Sequence, residues 1–211
     1  MDKDCNIKKY LSNHSKEENY KLGLKFGEYL KKIHQNKAKD GTNSYELFNT
    51  KANYLFYRHG LSDEIGDNDY ILVDFINQNK HLTRNIESTR IIGQINFENI
   101  LLDGDNNFLL NNFLLKEKEN FHYGDPAFDF TNINKISKVS KEFSKACYKS
   151  YFLDKKAPIK FFRLLSMYQA YIILEDIVNK RDKSNRYLTD DEFEYLLKIY
   201  DYFNNVIPIW I

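Results

Sequence analysis

The stretch "IKFFRLLSMYQAYIILEDIVNKR", Ile159 to Arg181, constrains the fold most. At a helical period its apolar and aromatic side chains cover much of the circumference. A helix that is apolar on most sides belongs at the centre of a domain. The remaining elements are therefore expected to pack around it. Composition supplies the material: 42% of the 211 residues are hydrophobic and 16% aromatic, with 16 Tyr and 16 Phe. A chain of this length can bury one sizeable core.

Other segments carry their own boundary signals. "SKEENYKLGLKFGEYLKKIHQ" reads as a helix. Ser15 is its N-cap and Glu18 completes a capping box. Gly23, Phe26, Gly27, Leu30, Ile33 and His34 fall on one face. Each glycine costs about 1 kcal/mol of helix stability against Ala, so close approach of another element is expected there. His34 is read as a packed, hydrogen-bonded residue at the helix end. Residues 37–50 read as a polar loop, "KANYLFYRHG" as a helix ending at Gly60, and "DNDYILVDFIN" as a helix running into irregular chain.

From Thr89 the period changes. "TRIIG" is short and β-branched. "NILLD" and "NFLLN" are apolar runs joined by Gly104-Asp105-Asn106, which predicts an antiparallel hairpin. "HYGDPAFDF" reads as a loop turning into a helix. "SKEFSKACYKSYFLDKKAP" reads as a helix that ends before Pro158. The last helix starts at a Thr189 cap with Glu192 behind it and ends before Pro208. The predicted class is mainly α with a small β-hairpin insertion (α+β). It forms one domain over 1–211: opening helices in 15–88, loops and hairpin in 89–130, closing helices in 131–211.

Charge excludes one class of partner. With 31 basic and 30 acidic residues the net charge is +1, not the basic footprint of a nucleic-acid binder. No apolar run approaches the about 20 residues of a membrane span. Cys5 and Cys147 make no disulfide framework. The polar start "MDKDCNIKKY" lacks the pattern of a signal peptide, so the expected location is cytoplasmic. The five histidines show no paired spacing with Cys or Glu, against a zinc-type cluster.

The segment "RIIGQINFENILLDGDNNFLLNNF" has the layout of a phosphate-transfer loop. Such chemistry needs a carboxylate to orient the attacking hydroxyl, and oxygen ligands to hold magnesium on the phosphates. Here a glycine turn at Gly93-Gln94 is followed by Asn99, the hairpin, Asn112, and then Gly124-Asp125-Pro126-Ala127-Phe128-Asp129. With these residues in this order, the chain resembles the aminoglycoside phosphotransferase family, relatives of choline kinases and distant relatives of protein kinases. The catalytic loop of that family matches Ile92-Gly93-Gln94 and Asn99, and its metal loop matches Asn111-Asn112-Phe113. Gly124-Asp125-Pro126 and Asp129 match a further shared segment. The resemblance covers most of the chain and implies a protein-kinase-like C-terminal lobe.

Two departures shape the expectation. The resemblance implies a catalytic Asp where Gln94 stands and a metal-holding Asp where Asn112 stands. A glutamine amide takes up no proton, and loss of a positioned base costs roughly 100- to 10,000-fold. Asn99 is kept, but Gln94, Asn99 and Asn112 together form a degenerate set. The family also carries a sheet lobe ahead of the first matched helix. Only about fourteen residues precede that helix here, too few for several strands of about five to six residues.

The expected protein is thus a catalytically impaired, C-lobe-only relative, acting as a binding or interaction module or standing as a truncated paralogue. No cofactor is expected. A small cationic ligand is expected, or a second copy or partner chain on the face the absent lobe leaves. The alternative is an active ATP- and magnesium-dependent phosphotransferase of a small-molecule hydroxyl, completed by a partner chain or by substitute residues. Asp190, Asp191 and Glu175 are the candidates for a ligand-binding acidic patch, because the family holds cationic sugars with acids from its closing helices. Asp190 and Asp191 also suit a first helical turn, where acids favour the dipole. Asp125 is read as a brace for its loop, and Asp129 as a brace at a helix start.

Overall fold

The structure is a computed structural model that describes residues 5–38, 43–61, 66, 69–94, 100–103, 108–110 and 122–211. A short strand, β1 (Cys5–Asn6), leads into helix α1 (Ile7–Asn13), which the Asn6 side chain caps at the Lys9 amide. Next come α2 (Lys16–His34), α3 (Ser44–Gly60) and α4 (Asp69–Asn79), the last followed by one 3-10 turn (Lys80–Thr83). Strands β2 (Thr89–Ile91), β3 (Ile100–Leu102), β4 (Phe108–Leu110) and β5 (His122–Gly124) fill the middle of the chain. A 3-10 turn (Pro126–Asp129) opens α5 (Phe130–Ile136), followed by α6 (Lys141–Tyr151), α7 (Ile159–Arg181) and α8 (Asp190–Ile199). The fold is mainly helical with small antiparallel sheets.

The long apolar helix lies where its sequence requires. Fifteen residues of α7 are buried, from Phe162 to Asn179, and α3, α4 and α5 pack against it. Burying one large apolar side chain contributes about 1.5–3 kcal/mol, so this helix is the main source of cohesion.

The two glycines of α2 do what their sequence cost implied. A Cβ at Gly23 would sit 2.3 Å from the Phe143 carbonyl oxygen, and one at Gly27 2.3 Å from that of Cys147. Helices α2 and α6 therefore run side by side at backbone contact. They point the same way, since Lys16 pairs with Glu142 at one end and His34 meets Tyr151 at the other. The Ser15–Glu18 capping box is present, and so is the Thr189–Glu192 box that opens α8.

A buried polar knot closes the domain. Asn134 of α5 is fully buried and donates to Gln169 of α7 at 3.0 Å and to the Tyr200 hydroxyl at 2.8 Å. Its oxygen accepts from the Trp210 indole at 3.0 Å. The closing segment is thus tied to the central helix by bonds that satisfy the buried amide, as buried polar groups require.

Three expectations change and one is extended. Residues 44–50 are helical rather than loop, because the Asn43 side chain caps the amides of Tyr45 and Glu46 and starts α3 earlier. The β3–β4 hairpin forms as expected, and β1 joins it in a three-stranded sheet of order β1-β3-β4. His122–Gly124 is a strand, not a loop: it pairs with β2 from Thr89↔Gly124 to Ile91↔His122. The last helix stops at Ile199, well before Pro208, because Asp201, Tyr202 and Phe203 turn through positive φ.

No helix among the described residues is long and apolar enough to cross a membrane.

Candidate functional site

The loop after β2 is held by one carboxylate. Asp129, at the end of the 3-10 turn, accepts from the backbone amides of Ile92 and Gly93, both at 2.8 Å. It also accepts from His34 Nε2 at 2.9 Å. With Nε2–H donated to a carboxylate, a neutral imidazole leaves Nδ1 to face the Tyr151 hydroxyl, 2.8 Å away. Burial first, then the charges of Asp129 and Asp125, pushes the Tyr151 phenol up. Asn132 Nδ2 donates to the Gly93 carbonyl at 2.7 Å, so Gly93 is fastened at both its peptide groups. Its φ of 79° lies in the left-handed region, which glycine enters without a Cβ penalty. The reading of Asp129 as a brace is sharpened: it braces the loop as well as the turn.

A second buried carboxylate supports the same turn. Asp125 caps the Ala127 amide at 2.9 Å and accepts from the Tyr168 hydroxyl at 3.1 Å. Burial raises its carboxyl above the ordinary Asp range, and those two donors pull it part of the way back. Both carboxylates are structural, as the sequence implied.

The fastened loop delivers Gln94. Its amide nitrogen is buried and makes no hydrogen bond of normal geometry. It nevertheless lies close enough to the Glu175 carboxylate to help lower its pKa. Glu175, on α7, accepts from the Tyr171 hydroxyl one helical turn earlier, at 3.1 Å. Burial raises the Glu175 carboxyl, and Tyr171, Gln94, Lys51 and Arg58 each offset part of that rise. Arg58 also donates to Asn179 at 3.0 Å and to Asp182 at 3.1 Å. Gln94 and Glu175, singled out in the sequence for different reasons, thus sit side by side.

Asp190 and Asp191 face other groups. Asp190 pairs with Arg186 at 2.8 Å and Lys180 at 3.8 Å, and Asp191 with Lys138 at 3.4 Å. Arg186 in turn bridges to buried Asp176 at 2.8 Å. These acids are engaged by nearby bases at the start of α8. Asn99, Asn111 and Asn112 lie outside the described residues, as does the Gly104-Asp105-Asn106 turn. Among the described residues no group of three or more His, Cys, Asp or Glu is placed to hold a metal ion.

Sequence reasoning did not single out Tyr171, Asn132, Lys51 or Arg58. The Tyr171–Glu175 pair had a local signal, the i,i+4 spacing on one helix. The others arise from contacts across the fold and had none.

The class defined by fold and site is a mainly helical domain with a carboxylate-fastened loop over its central helix. No family model matches the chain, and no curated protein matches it in sequence. Among solved structures it is similar to a spectinomycin phosphotransferase, APH(9)-Ia, crystallised with ADP and spectinomycin, at TM-score 0.46 and 14% identity over 98% of this chain and 67% of that one.

Proposed function

We propose that the chain is a non-catalytic small-molecule-binding module on a phosphotransferase-like scaffold. The observation that supports this reading is the position of Gln94. Asp129 and Asn132 fasten the loop at Ile92 and Gly93, as a site scaffold needs. The residue that the loop presents is then an amide, at the position where the sequence resemblance implies a proton-accepting carboxylate. An amide can bind but cannot take up a proton, so the retained architecture serves recognition. ATP and magnesium have no part in this reading.

A thermal-shift panel tests it. ATP–magnesium, aminoglycosides and choline-like amines are each added to the purified chain. A ligand at 100 times its dissociation constant stabilises the fold by about 2.7 kcal/mol. A shift without phosphate transfer is the expected result. Transfer of phosphate from ATP, lost in Gln94→Ala, would overturn the reading.

The module also offers a contact surface. Tyr54 and Tyr57 of α3, and Leu61 just after it, are each more than 60% exposed, and we propose that a second copy or a partner chain covers them. A sedimentation experiment showing a monodisperse monomer, unchanged in Tyr54→Ser, would remove a second copy as the occupant.

A further inference from the structure

A cavity of about 500 Å³ opens at the start of α7, far from the Gln94 loop. Ile159, on its wall, lies sixteen residues before Glu175, about 24 Å along the helix. The walls are mainly apolar: Tyr148 from α6, Ala157 before α7, Phe162 on α7, and Ile207 and Ile211 from the closing segment join Ile159. They are held from outside. The Ala157 amide donates to the Tyr148 hydroxyl at 3.1 Å. The Ile209 amide donates to the Ile199 carbonyl at 2.9 Å, and Trp210 is tied to Asn134 at 3.0 Å, which fixes the closing segment. The cavity is open all the same: Ile159 is 58% exposed, Ile207 43% and Ile211 39%. Apolar side chains clustered in water and rimmed by charge mark an interaction site.

The rim is basic. Lys149, Lys155 and Lys156 border the cavity, and Asp154 is the one acid among the described residues that line it. Asp154 is engaged by Lys149 at 3.3 Å. Lys155 and Lys156 are exposed and make no ion pair among the described residues. From Lys141 to Arg163 the chain carries seven bases and two acids, Glu142 and Asp154, and Lys16 engages Glu142. The surface round the cavity therefore carries an excess of positive charge.

Size and sign together choose the occupant. The volume falls in the range of small-molecule sites, about 300–1,000 Å³, which combine apolar walls with a few polar groups. One turn of an α-helix, about 10 Å across and 5.4 Å long, would fill about 420 Å³, so a helical peptide would seat little more than a turn. A bilayer is flat and would leave the concave wall unfilled. A cation would be repelled by the rim. An anion without an apolar body would leave the walls in water. A slender alkyl chain that ends in an anion fills the cavity and meets the two unpaired lysines.

We infer that the cavity binds a single-chain alkyl carboxylate of the fatty-acid class, its chain against Ala157, Ile159, Phe162 and Ile207 and its carboxylate at Lys155 and Lys156. This is a second site, and it does not depend on the reading of the Gln94 loop. No bond is made or broken in it.

The probe is decanoate, kept below its micelle-forming concentration and titrated into the whole chain by calorimetry. Decanoate is expected to bind. Octanoate should bind about fifteenfold more weakly, since each buried methylene changes affinity about fourfold. Decyltrimethylammonium should not bind at the same concentrations. In methyl-labelled protein, decanoate should shift the resonances of Ile159, Ile207 and Ile211. Lys155→Glu with Lys156→Glu should lose about tenfold in decanoate affinity and gain binding of decyltrimethylammonium, a reversal that damage to the fold would not produce. Ile159→Asp places an acid in the first turn of α7, where it suits the helix dipole. Its melting temperature should hold while decanoate binding falls by about tenfold or more. Failure of decanoate to bind, equal binding of decyltrimethylammonium, or methyl shifts confined to Ile91 and Ile92 would overturn the inference. Native decanoate affinity in Ile159→Asp would do so too. Phosphatidylglycerol vesicles or an acidic amphipathic peptide that bound at these isoleucines, where decanoate did not, would give the face to another occupant and overturn it. Self-association of the native chain that decanoate leaves intact and Ile159→Asp abolishes would give the face to a second copy, with the same consequence.

Discussion

Replacing Asp129 by Ala is the sharpest perturbation of the scaffold. The side chain is 1% exposed and accepts three hydrogen bonds, from Ile92, Gly93 and His34, at 2.8, 2.8 and 2.9 Å. Alanine strands two peptide N–H groups and one imidazole N–H inside the fold. Each stranded donor costs about 1–3 kcal/mol, less where water enters the space left. With three donors stranded, the expected loss is about 3–5 kcal/mol in all. Against a typical domain stability of about 5–15 kcal/mol, the change takes a large share. With a urea slope of about 1–3 kcal/mol/M, the midpoint should fall by roughly 2 M. Asp129→Asn should lose about half as much, because its oxygen keeps one backbone donor while its amide meets another. Urea titration gives the magnitude, and hydrogen exchange at the Ile92 and Gly93 amides gives the location. A loss under about 1 kcal/mol, or fast exchange at both amides in the native chain, would show that Asp129 does not fasten the loop.

Three further outcomes follow from the packing. Gly23→Ala or Gly27→Ala would gain about 1 kcal/mol in an isolated helix. Here each should instead lose about 1–3 kcal/mol, because the new methyl meets a backbone oxygen of α6; stabilisation in thermal melts would rule out the contact. Burial raises the Asp125 carboxyl, so its contribution to stability is full below the ordinary Asp value of about 4 and is lost as pH rises through the raised folded value. The stability of the native chain relative to Asp125→Asn should therefore fall with rising pH in urea titrations, and a pH-independent difference would contradict the assignment. Cys147 is fully buried and burial pushes its thiol up, so iodoacetamide should label it only as the chain unfolds; rapid labelling under native conditions would place it elsewhere.

Local signals made most of the helical fold legible. The Ser15–Glu18 and Thr189–Glu192 boxes start their helices as read, and the glycines of α2 mark the contact with α6. The β3–β4 hairpin follows from two apolar runs around a turn cluster. What escaped were non-local or competing effects. "HYG" becomes a strand only because β2, more than 30 residues earlier, gives it a partner. A two-residue strand at the start of the chain carries no period at all. The early start of α3 turned on one Asn cap within a polar run. At the site, the structural roles of His34, Asp125 and Asp129 were legible from position. The neighbourhood of Gln94 and Glu175 was not, since it depends on how the loop lies over α7.

The central claim is that the fastened loop recognises a ligand without transferring phosphate to it. The most direct measurement follows labelled phosphate from ATP–magnesium to each ligand that binds the chain. The account predicts binding that depends on Gln94 and no labelled product. A labelled product whose formation stops in Gln94→Ala would contradict it.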